Sequence, residues 1–303
     1  MPTSVSITST YSGEFAGEYI AAALLSGSTI ENGGITVKPN VKYKEVIKKV
    51  ATDSNIIKDA SCDFTDTGAV TLTERVLAPE QFQINMELCK GDFESDWSAL
   101  EMGYSSFDVL PSSFSDFLIG HVSGLVAEKT EQNIWGGATA NAGEFDGLIT
   151  LATADADVVD VTGAVGGVDA ANVIAELQKV IDAIPNAVYS KSDLAIYVAP
   201  NVAKAYIAAQ AALGYANLYH DGKTNLNFQG LPLFVADGLT ASYMMAAQKS
   251  NLFFGTGLLS DHNEVRVLDM ANLDGSDNVR IVMRFSAGVQ YGIGSDIVLY
   301  TPS

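Results

Sequence analysis

Two stretches of alternating apolar and polar residues, followed by one long helix, constrain the fold of this chain more than any other feature. Residues 41–50 and 70–89 alternate with a period of two, which predicts half-buried antiparallel strands. Pro79 interrupts the second stretch, because proline cannot donate a hydrogen bond to a sheet, and 70–88 is therefore predicted to form a long hairpin. A hairpin with few core contacts is marginally stable alone. We expect it to lie on another surface.

A long amphipathic helix is predicted to follow at 111–136. A proline and two serines at its start and two glycines at its end are typical helix boundary signals. Apolar residues recur at helical spacing along one face. Gly120 and Gly124 each cost about 1 kcal/mol relative to alanine inside a helix. Close approach of another backbone would explain these two glycines.

The second half of the chain changes to an α/β pattern. Residues 138–167 contain no Lys or Arg and read as a boundary. The predicted elements after it are helices at 168–184 and 201–213 and strands at 193–199, 231–236, 251–255, 264–269 and 279–300.

The charge of the chain is unevenly distributed. The formal net charge is −19, yet six of the 17 Lys and Arg residues fall in one segment. These are Lys38, Lys42, Lys44, Lys48, Lys49 and Lys58. With two acidic residues counted, residues 38–58 carry +4, which leaves −23 for the rest of the chain. The segment is either a solvated basic face or an arm that docks on an acidic neighbour.

Several classes of function lack support in the sequence. The acidic balance opposes nucleic-acid binding, which depends on phosphate neutralisation. No apolar run approaches the roughly 20 residues needed to cross a bilayer, so no membrane association is expected. Short catalytic and zinc motifs are missing, and the lone Gly222-Lys223-Thr224 lacks the rest of a phosphate loop. No catalytic, cofactor-binding or metal-binding residue is predicted. Cys62 and Cys89 are expected to be free thiols.

The order of these elements resembles the major capsid proteins of tailed bacteriophages, whose fold is shared with encapsulins. The resemblance rests on the strand pair, on the helix ending in Asn133-Ile134-Trp135-Gly136-Gly137, and on the turn at 144–149. Further along, 227–233 is similar to the family's "f-x-G-i-P-l" strand, and 284–289 to its C-terminal "R-x-x-x-x-G" stretch.

The resemblance implies an α+β phage major capsid fold with a defined division of the chain. The implied parts are an N-terminal arm at 1–40, an extended E-loop at 41–90, a P-domain at 91–167 with the spine helix 111–136, an A-domain at 168–250, and the C-terminal strands of the P-domain at 251–303.

The resemblance also implies a structural function and no enzyme activity. The subunit would assemble with itself as pentamers and hexamers into an icosahedral head that encloses double-stranded DNA without sequence-specific binding. Separate scaffolding, portal and decoration proteins are the other partners it implies. The expected location is the virion, after assembly in the host cytoplasm. Two alternatives remain open: an encapsulin-like nanocompartment with an enzyme cargo, and a small-molecule enzyme on the α/β half.

Two sets of residues are predicted to carry assembly. The inter-subunit set would lay the basic hairpin over the acidic P-domain of a neighbour, and the second set would line the capsomer axis. The inter-subunit set is Lys42, Lys44, Lys48, Lys49, Lys58, Val70, Leu72, Arg75, Phe82 and Ile84. The axis loop is Tyr219, His220, Asp221 and Lys223.

Overall fold

The computed structural model describes most of the chain between residues 27 and 303. The described residues are 27–41, 43–52, 57, 59, 68–89, 112–214, 226–257, 266–270, 276 and 278–303, with the backbone alone at 51–52, 112–117, 266 and 269. The sequence also predicts short helices at 13–25 and 93–100, and both segments lie outside these ranges.

The described residues form an α+β fold, as predicted. The α-helices are α1 (Ser28–Glu31), α2 (Ser112–Gly136), α3 (Leu148–Thr153), α4 (Val173–Ala183), α5 (Asn186–Tyr189) and α6 (Pro200–Ala212). The strands are β1 (Thr36–Pro39), β2 (Glu45–Thr52), β3 (Val70–Leu77), β4 (Glu80–Cys89), β5 (Val159–Thr162), β6 (Leu194–Val198), β7 (Asn227–Phe228), β8 (Leu231–Val235), β9 (Met244–Gln248), β10 (Leu252–Thr256), β11 (Arg266–Asp269), β12 (Asn278–Tyr291) and β13 (Val298–Thr301). No helix of the described ranges is long and apolar enough to cross a bilayer.

A five-stranded sheet is built around the 14-residue strand β12. β12 pairs with β4 along one edge and with β10 and β11 along the other, and β1 lies parallel to β10. The long helix α2 packs on this sheet, with Val122 and Val126 in one apolar cluster with Ile281 and Met283. The predicted helix 111–136 is thus present, and its apolar face lies on the sheet.

The hairpin predicted within 70–88 is wrong in its pairing. Both strands exist, but β3 pairs with β2, whereas β4 pairs with β12 over ten residues. The reason lies in the side chains of β4, since Phe82 and Ile84 pack against the cores of the body. The chain passes from one sheet to the other at Leu77–Glu80, around the proline.

A six-stranded sheet has the order β5-β13-β9-β6-β8-β7. Its central strands are buried, with Ile196 and Val198 fully inaccessible, and Leu177 of α4 and Val202 of α6 belong to the same apolar core. β5 and β13 belong to this sheet although the sequence suggested the P-domain for both segments. The segment 138–167, predicted as a boundary, contains α3 and β5.

The two glycines inside α2 have a different environment from the one expected. Both Gly120 and Gly124 are exposed, and no atom lies within 4 Å of the position that a Cβ would occupy. Among the described residues, no other backbone therefore approaches this face of the helix.

A buried polar cluster joins α1 to the C-terminal half of α2. The backbone N–H of Thr29 donates to the Glu131 carboxylate at 3.1 Å, and the Thr29 hydroxyl donates to the same group. The indole N–H of Trp135 donates to the Thr29 hydroxyl oxygen at 2.8 Å. Trp135 also packs against Tyr197 of the six-stranded sheet, with ring centroids 5.2 Å apart. This cluster connects α1, α2 and the larger core.

Replacing Thr29 with Val should destabilise the chain by about 1–3 kcal/mol, because valine keeps the shape but leaves Glu131 and the Trp135 N–H short of a partner inside the protein. The free energy of unfolding of the unassembled protein, from urea titration, measures this. Thr139→Val is the matched control, since the Thr139 hydroxyl is exposed where it bonds Asp146. The control should change stability by less than about 0.5 kcal/mol. Equal losses for both variants would contradict the role of the cluster.

Candidate assembly interface

Strands β2 and β3 form a two-stranded antiparallel ribbon, called here the β-ribbon (45–52 and 70–77). The register runs from Glu45 opposite Leu77 to Thr52 opposite Val70. Among the described strands, neither pairs with any other. An isolated two-stranded ribbon is marginally stable in water, so contacts of its faces and of its root must hold it.

One face of the β-ribbon is apolar and exposed. Because opposite residues of an antiparallel pair share a face and alternate along the strands, the register places five aliphatic side chains together. These are Val46, Val50, Val70, Leu72 and Val76, and we call them the outer face. Leu72 is 72% exposed and Val50 is 63% exposed. Lys44, Lys48 and Glu74 are also exposed, with Glu74 opposite Lys48 on the same face, so this surface is apolar with a small excess of positive charge.

The end of the β-ribbon formed by Glu45 and Leu77, called here its root, is anchored in the body of the subunit. Leu77 is fully buried, and a Cβ at Gly255 of β10 would lie 2.9 Å from its Cδ2 atom, so a side chain there would force Leu77 to shift. On the other strand, Glu45 forms an ion pair with Lys38, whose ammonium group lies 4.9 Å from the centroid of the Phe253 ring. Both strands of the ribbon are thus attached at the root.

At the root, Arg75 contacts two residues of the body. Its guanidinium pairs with the Asp155 carboxylate and lies 4.6 Å from the centroid of the Tyr291 ring. The Tyr291 hydroxyl donates to Oδ2 of Asp155 at 2.8 Å, and the Asp157 N–H donates to Oδ1 at 3.1 Å. We call Arg75, Asp155 and Tyr291 the root cluster.

Burial and contacts within the root cluster shift the pKa values of Asp155 and Tyr291. Burial alone would raise the pKa of Asp155, but hydrogen bonds from the Asp157 N–H, Tyr291 and Arg75 outweigh it and lower that pKa below its ordinary value. Burial, followed by the bond to the Asp155 carboxylate, raises the pKa of Tyr291 well above its ordinary value. At neutral pH the cluster therefore holds a carboxylate, a guanidinium and a neutral phenol.

The structure separates the predicted interface residues into two groups. Val70 and Leu72 lie on the outer face, Lys44 and Lys48 are exposed, and Lys49 is half-buried. Lys42, Lys58, Cys62 and the loop residues Tyr219, His220, Asp221 and Lys223 lie outside the described residues.

Arg75, Phe82 and Ile84 each contact their own chain, and their place in an interface between subunits stays a prediction. Arg75 belongs to the root cluster. Phe82 is half-buried, with its ring centroid 5.5 Å from that of Phe285 and 6.1 Å from that of Phe145. Ile84 packs with the α2 cluster. The sequence reasoning instead missed Val46, Val50 and Val76, which the β2–β3 register would have identified.

An apolar groove lies between α2 and β4. It encloses about 230 Å³. Its lining includes Phe82, Ile84, Met86, Val122, Leu125 and Phe285. Leu125 is 49% exposed, so the body has an apolar surface of its own.

Metal-binding and disulfide chemistry find little support here. Among the residues that the structure describes, no three His, Cys, Asp or Glu side chains are grouped so that they could hold a metal ion. Cys89 is a free, half-buried thiol.

Solved structures similar to this chain are viral shells. The capsid of a native GTA particle aligns with a TM-score of 0.61 at 12% identity, over 90% of this chain and 89% of that one. The capsid of Myoviridae phage XM1 aligns at 0.57 and 12%, over 91% and 92%. The chain has the phage major capsid fold. A virus-like particle from Pyrococcus furiosus also matches, at 0.54 and 11%, over 95% and 99%.

The comparison confirms the fold that the resemblance implied, over nearly the whole length of both partners. No family model and no curated protein sequence matches the chain. At 11–12% identity the shared property is the capsid fold, and the residues of the β-ribbon have to be interpreted on their own chemistry.

Two leucines of β3 should respond oppositely to truncation. Leu77→Ala should cost about 2–5 kcal/mol in the free energy of unfolding, because it empties a fully buried site. Leu72→Ala should change it by less than about 0.5 kcal/mol, because that side chain is 72% exposed. Urea denaturation of the unassembled protein measures both. A large loss in Leu72→Ala would show that the outer face is covered by its own chain.

The stabilisation from Asp155 should depend on pH. Since folding lowers its pKa, this contribution is present above the unfolded pKa of about 3.9 and is lost as the pH falls through the folded value. The wild-type chain should exceed Asp155→Asn in free energy of unfolding at pH 7, and the difference should shrink towards pH 3. Urea titrations of both proteins at pH 7, 5 and 3 measure the difference. A gap that stays constant with pH would contradict the assignment.

Proposed function

We propose that the protein is a structural shell subunit that assembles with itself, as pentamers and hexamers, into an icosahedral phage head enclosing double-stranded DNA. The observation that carries the proposal is the outer face: an exposed apolar and basic ribbon on a chain with the phage major capsid fold. A ribbon of this kind gains stability when a second copy covers it. Its function is therefore mechanical and not catalytic.

A second copy of the chain is the partner that the charges favour. Residues 43–52 and 68–77 carry four basic and two acidic side chains, a balance of +2, which leaves −21 for the rest of the chain. The rest of an identical copy carries a net negative charge, so electrostatic attraction steers the ribbon towards that copy. The groove beside Leu125 is an apolar surface of the kind that the outer face can cover.

The proposed parts of the capsid subunit follow from the topology. The β-ribbon corresponds to the E-loop, which therefore ends near residue 77 and not at 90. α2 corresponds to the spine helix, and the sheet around β12 to the P-domain. The six-stranded sheet corresponds to the A-domain, with β5 and β13 included. The axis residues at 219–223 are proposed to surround the capsomer axis, and residues 1–40 to form the N-terminal arm.

The remaining partners and the location are part of the same proposal. A strongly acidic subunit encloses DNA without adhering to it, because phosphate binding requires positive charge. Separate scaffolding, portal and decoration proteins are the other proposed partners, with assembly in the host cytoplasm and the virion as the final location.

An encapsulin-like nanocompartment is the second candidate, and the similarity to the virus-like particle from Pyrococcus furiosus favours it specifically. The two candidates share the fold and differ in what the shell encloses. Electron microscopy of the purified protein should show closed shells in either case. Nucleic acid inside particles from the native source supports the phage head, and a co-purifying enzyme supports the nanocompartment. A monodisperse monomer at high concentration would contradict both.

Reversing the charge of Lys44 and Lys48 to Glu should reduce the yield of closed shells at least tenfold and leave the subunit folded. Both lysines are exposed, so the change removes attraction to the acidic neighbour. Because Lys48 lies opposite Glu74, the change also places two carboxylates side by side, at a cost of up to about 1 kcal/mol. Circular dichroism reports folding, and electron microscopy counts the shells.

The matched control is Lys191→Glu with Lys204→Glu, which changes the net charge equally at two exposed lysines outside the β-ribbon. This control should assemble like the wild-type protein. Wild-type yields from the Lys44/Lys48 variant, or equal losses in both, would remove the ribbon charges from the proposal.

A further inference from the structure

The root cluster connects the β-ribbon to more than one element of the body. Arg75 alone joins the β-ribbon to two separate parts of the body: Asp155, just after α3, and Tyr291, at the end of β12. Tyr291 is fully buried and also donates to the backbone carbonyl of Leu151 in α3 at 3.2 Å. The β-ribbon is thus attached to a corner of the body where α3 and the end of β12 meet.

Glycine makes this corner possible. A Cβ at Gly294 would lie 2.6 Å from Oδ2 of Asp155 and 3.2 Å from Nη2 of Arg75, so a side chain there would displace the ion pair. At Gly292, the Cγ2 atom of Ile47 from the other ribbon strand lies 3.5 Å from the Cβ position. The turn after β12 therefore receives both strands of the ribbon.

Beyond this corner the outer face leaves the body. At roughly 3.3 Å per residue, Val70 lies about 17 Å along the strand from Arg75, so a rotation of about 10° at the root moves that end by about 3 Å. A shift of this size breaks a van der Waals contact, since apolar atoms attract only within about 4–4.5 Å. The angle between the β-ribbon and the body thus determines which part of a neighbouring copy the outer face contacts.

We propose that Arg75 is a positioning residue, which acts through Asp155 and Tyr291 to set the direction of the β-ribbon and thereby the regularity of the shell. The inference rests on the proposed function and adds a division of labour to it. The outer face and the lysines supply the attraction between copies. The root cluster supplies the angle at which that attraction is used.

Arginine suits this position because its planar guanidinium can pair with a carboxylate and stack on an aromatic ring at once. Lysine would keep the charge and lose the planar geometry. The cluster therefore predicts a graded series: Arg75→Lys should be intermediate between the wild-type chain and Arg75→Gln.

The test compares Arg75→Gln with Arg280→Gln. Arg280 also lies on a strand and pairs with a carboxylate, that of Glu87, but it has no contact with the β-ribbon. In the unassembled proteins, amide hydrogen exchange in residues 45–52 and 70–77 should be at least tenfold faster in Arg75→Gln and unchanged in Arg280→Gln. In assembled samples, electron microscopy should show a broader distribution of particle diameters, with open or irregular shells, for Arg75→Gln alone.

Several results would overturn the inference. Shells of wild-type uniformity from Arg75→Gln would do so, and so would equal irregularity in both variants. If Arg75→Gln fails to fold, Tyr291→Phe replaces it, because it keeps the ring under Arg75 and removes only the hydroxyl group that contacts Asp155 and the Leu151 carbonyl. Unchanged exchange and uniform shells in Tyr291→Phe would then count against the cluster. If the wild-type chain forms no shells, the proposed function fails, and hydrogen exchange alone decides whether the cluster fixes the ribbon.

Discussion

The pairing of β12 with three other strands is the interaction on which the rest of the structure depends. This one strand joins β4 on one edge to β10 and β11 on the other, presents an apolar surface to α2, and ends at the buried ring of Tyr291. The same ring lies beneath Arg75 of the β-ribbon. The body and the direction of the ribbon are therefore fixed by a single continuous element. Because Tyr291 also belongs to the large core, a change at the end of β12 would reach both that core and the root of the β-ribbon.

A single contact through the outer face is weak because the face is small. Full burial of a Val or Leu side chain contributes about 1.5–3 kcal/mol, and the five outer-face residues are already partly buried. Association of two proteins costs at least about 4 kcal/mol in lost translational and rotational freedom. One docking event therefore leaves little net free energy. In a closed shell each subunit gives and receives such a contact, and symmetric closure makes the later contacts intramolecular in effect. Weak single contacts also let misplaced subunits leave.

The sequence predicted elements that depend on local signals and failed on partners. The long helix was correct because its boundary residues and apolar periodicity are local. Alternation identified β3 and β4 as strands, but the pattern cannot tell which strand is the partner, and the ladder joins β3 to β2 across an intervening segment. β9 went unrecognised because Met244–Gln248 is buried on both faces and does not alternate. The contact between Arg75 and Asp155 was not predicted, because the two residues lie 80 positions apart and no pattern connects them.

The acidic composition and the basic ribbon are two parts of one constraint. If positive charge were spread evenly, identical subunits would attract nucleic acid and one another in many orientations. On the proposed function, the balance of +2 on the β-ribbon against −21 for the rest of the chain favours attraction between copies through this one element. Apolar contact on the outer face is non-directional, so it cannot set the orientation alone. Orientation must come from the rigid attachment at Leu77, Glu45 and Arg75. On the proposed function, intramolecular contacts at the ribbon root therefore contribute to shell geometry together with contacts between subunits.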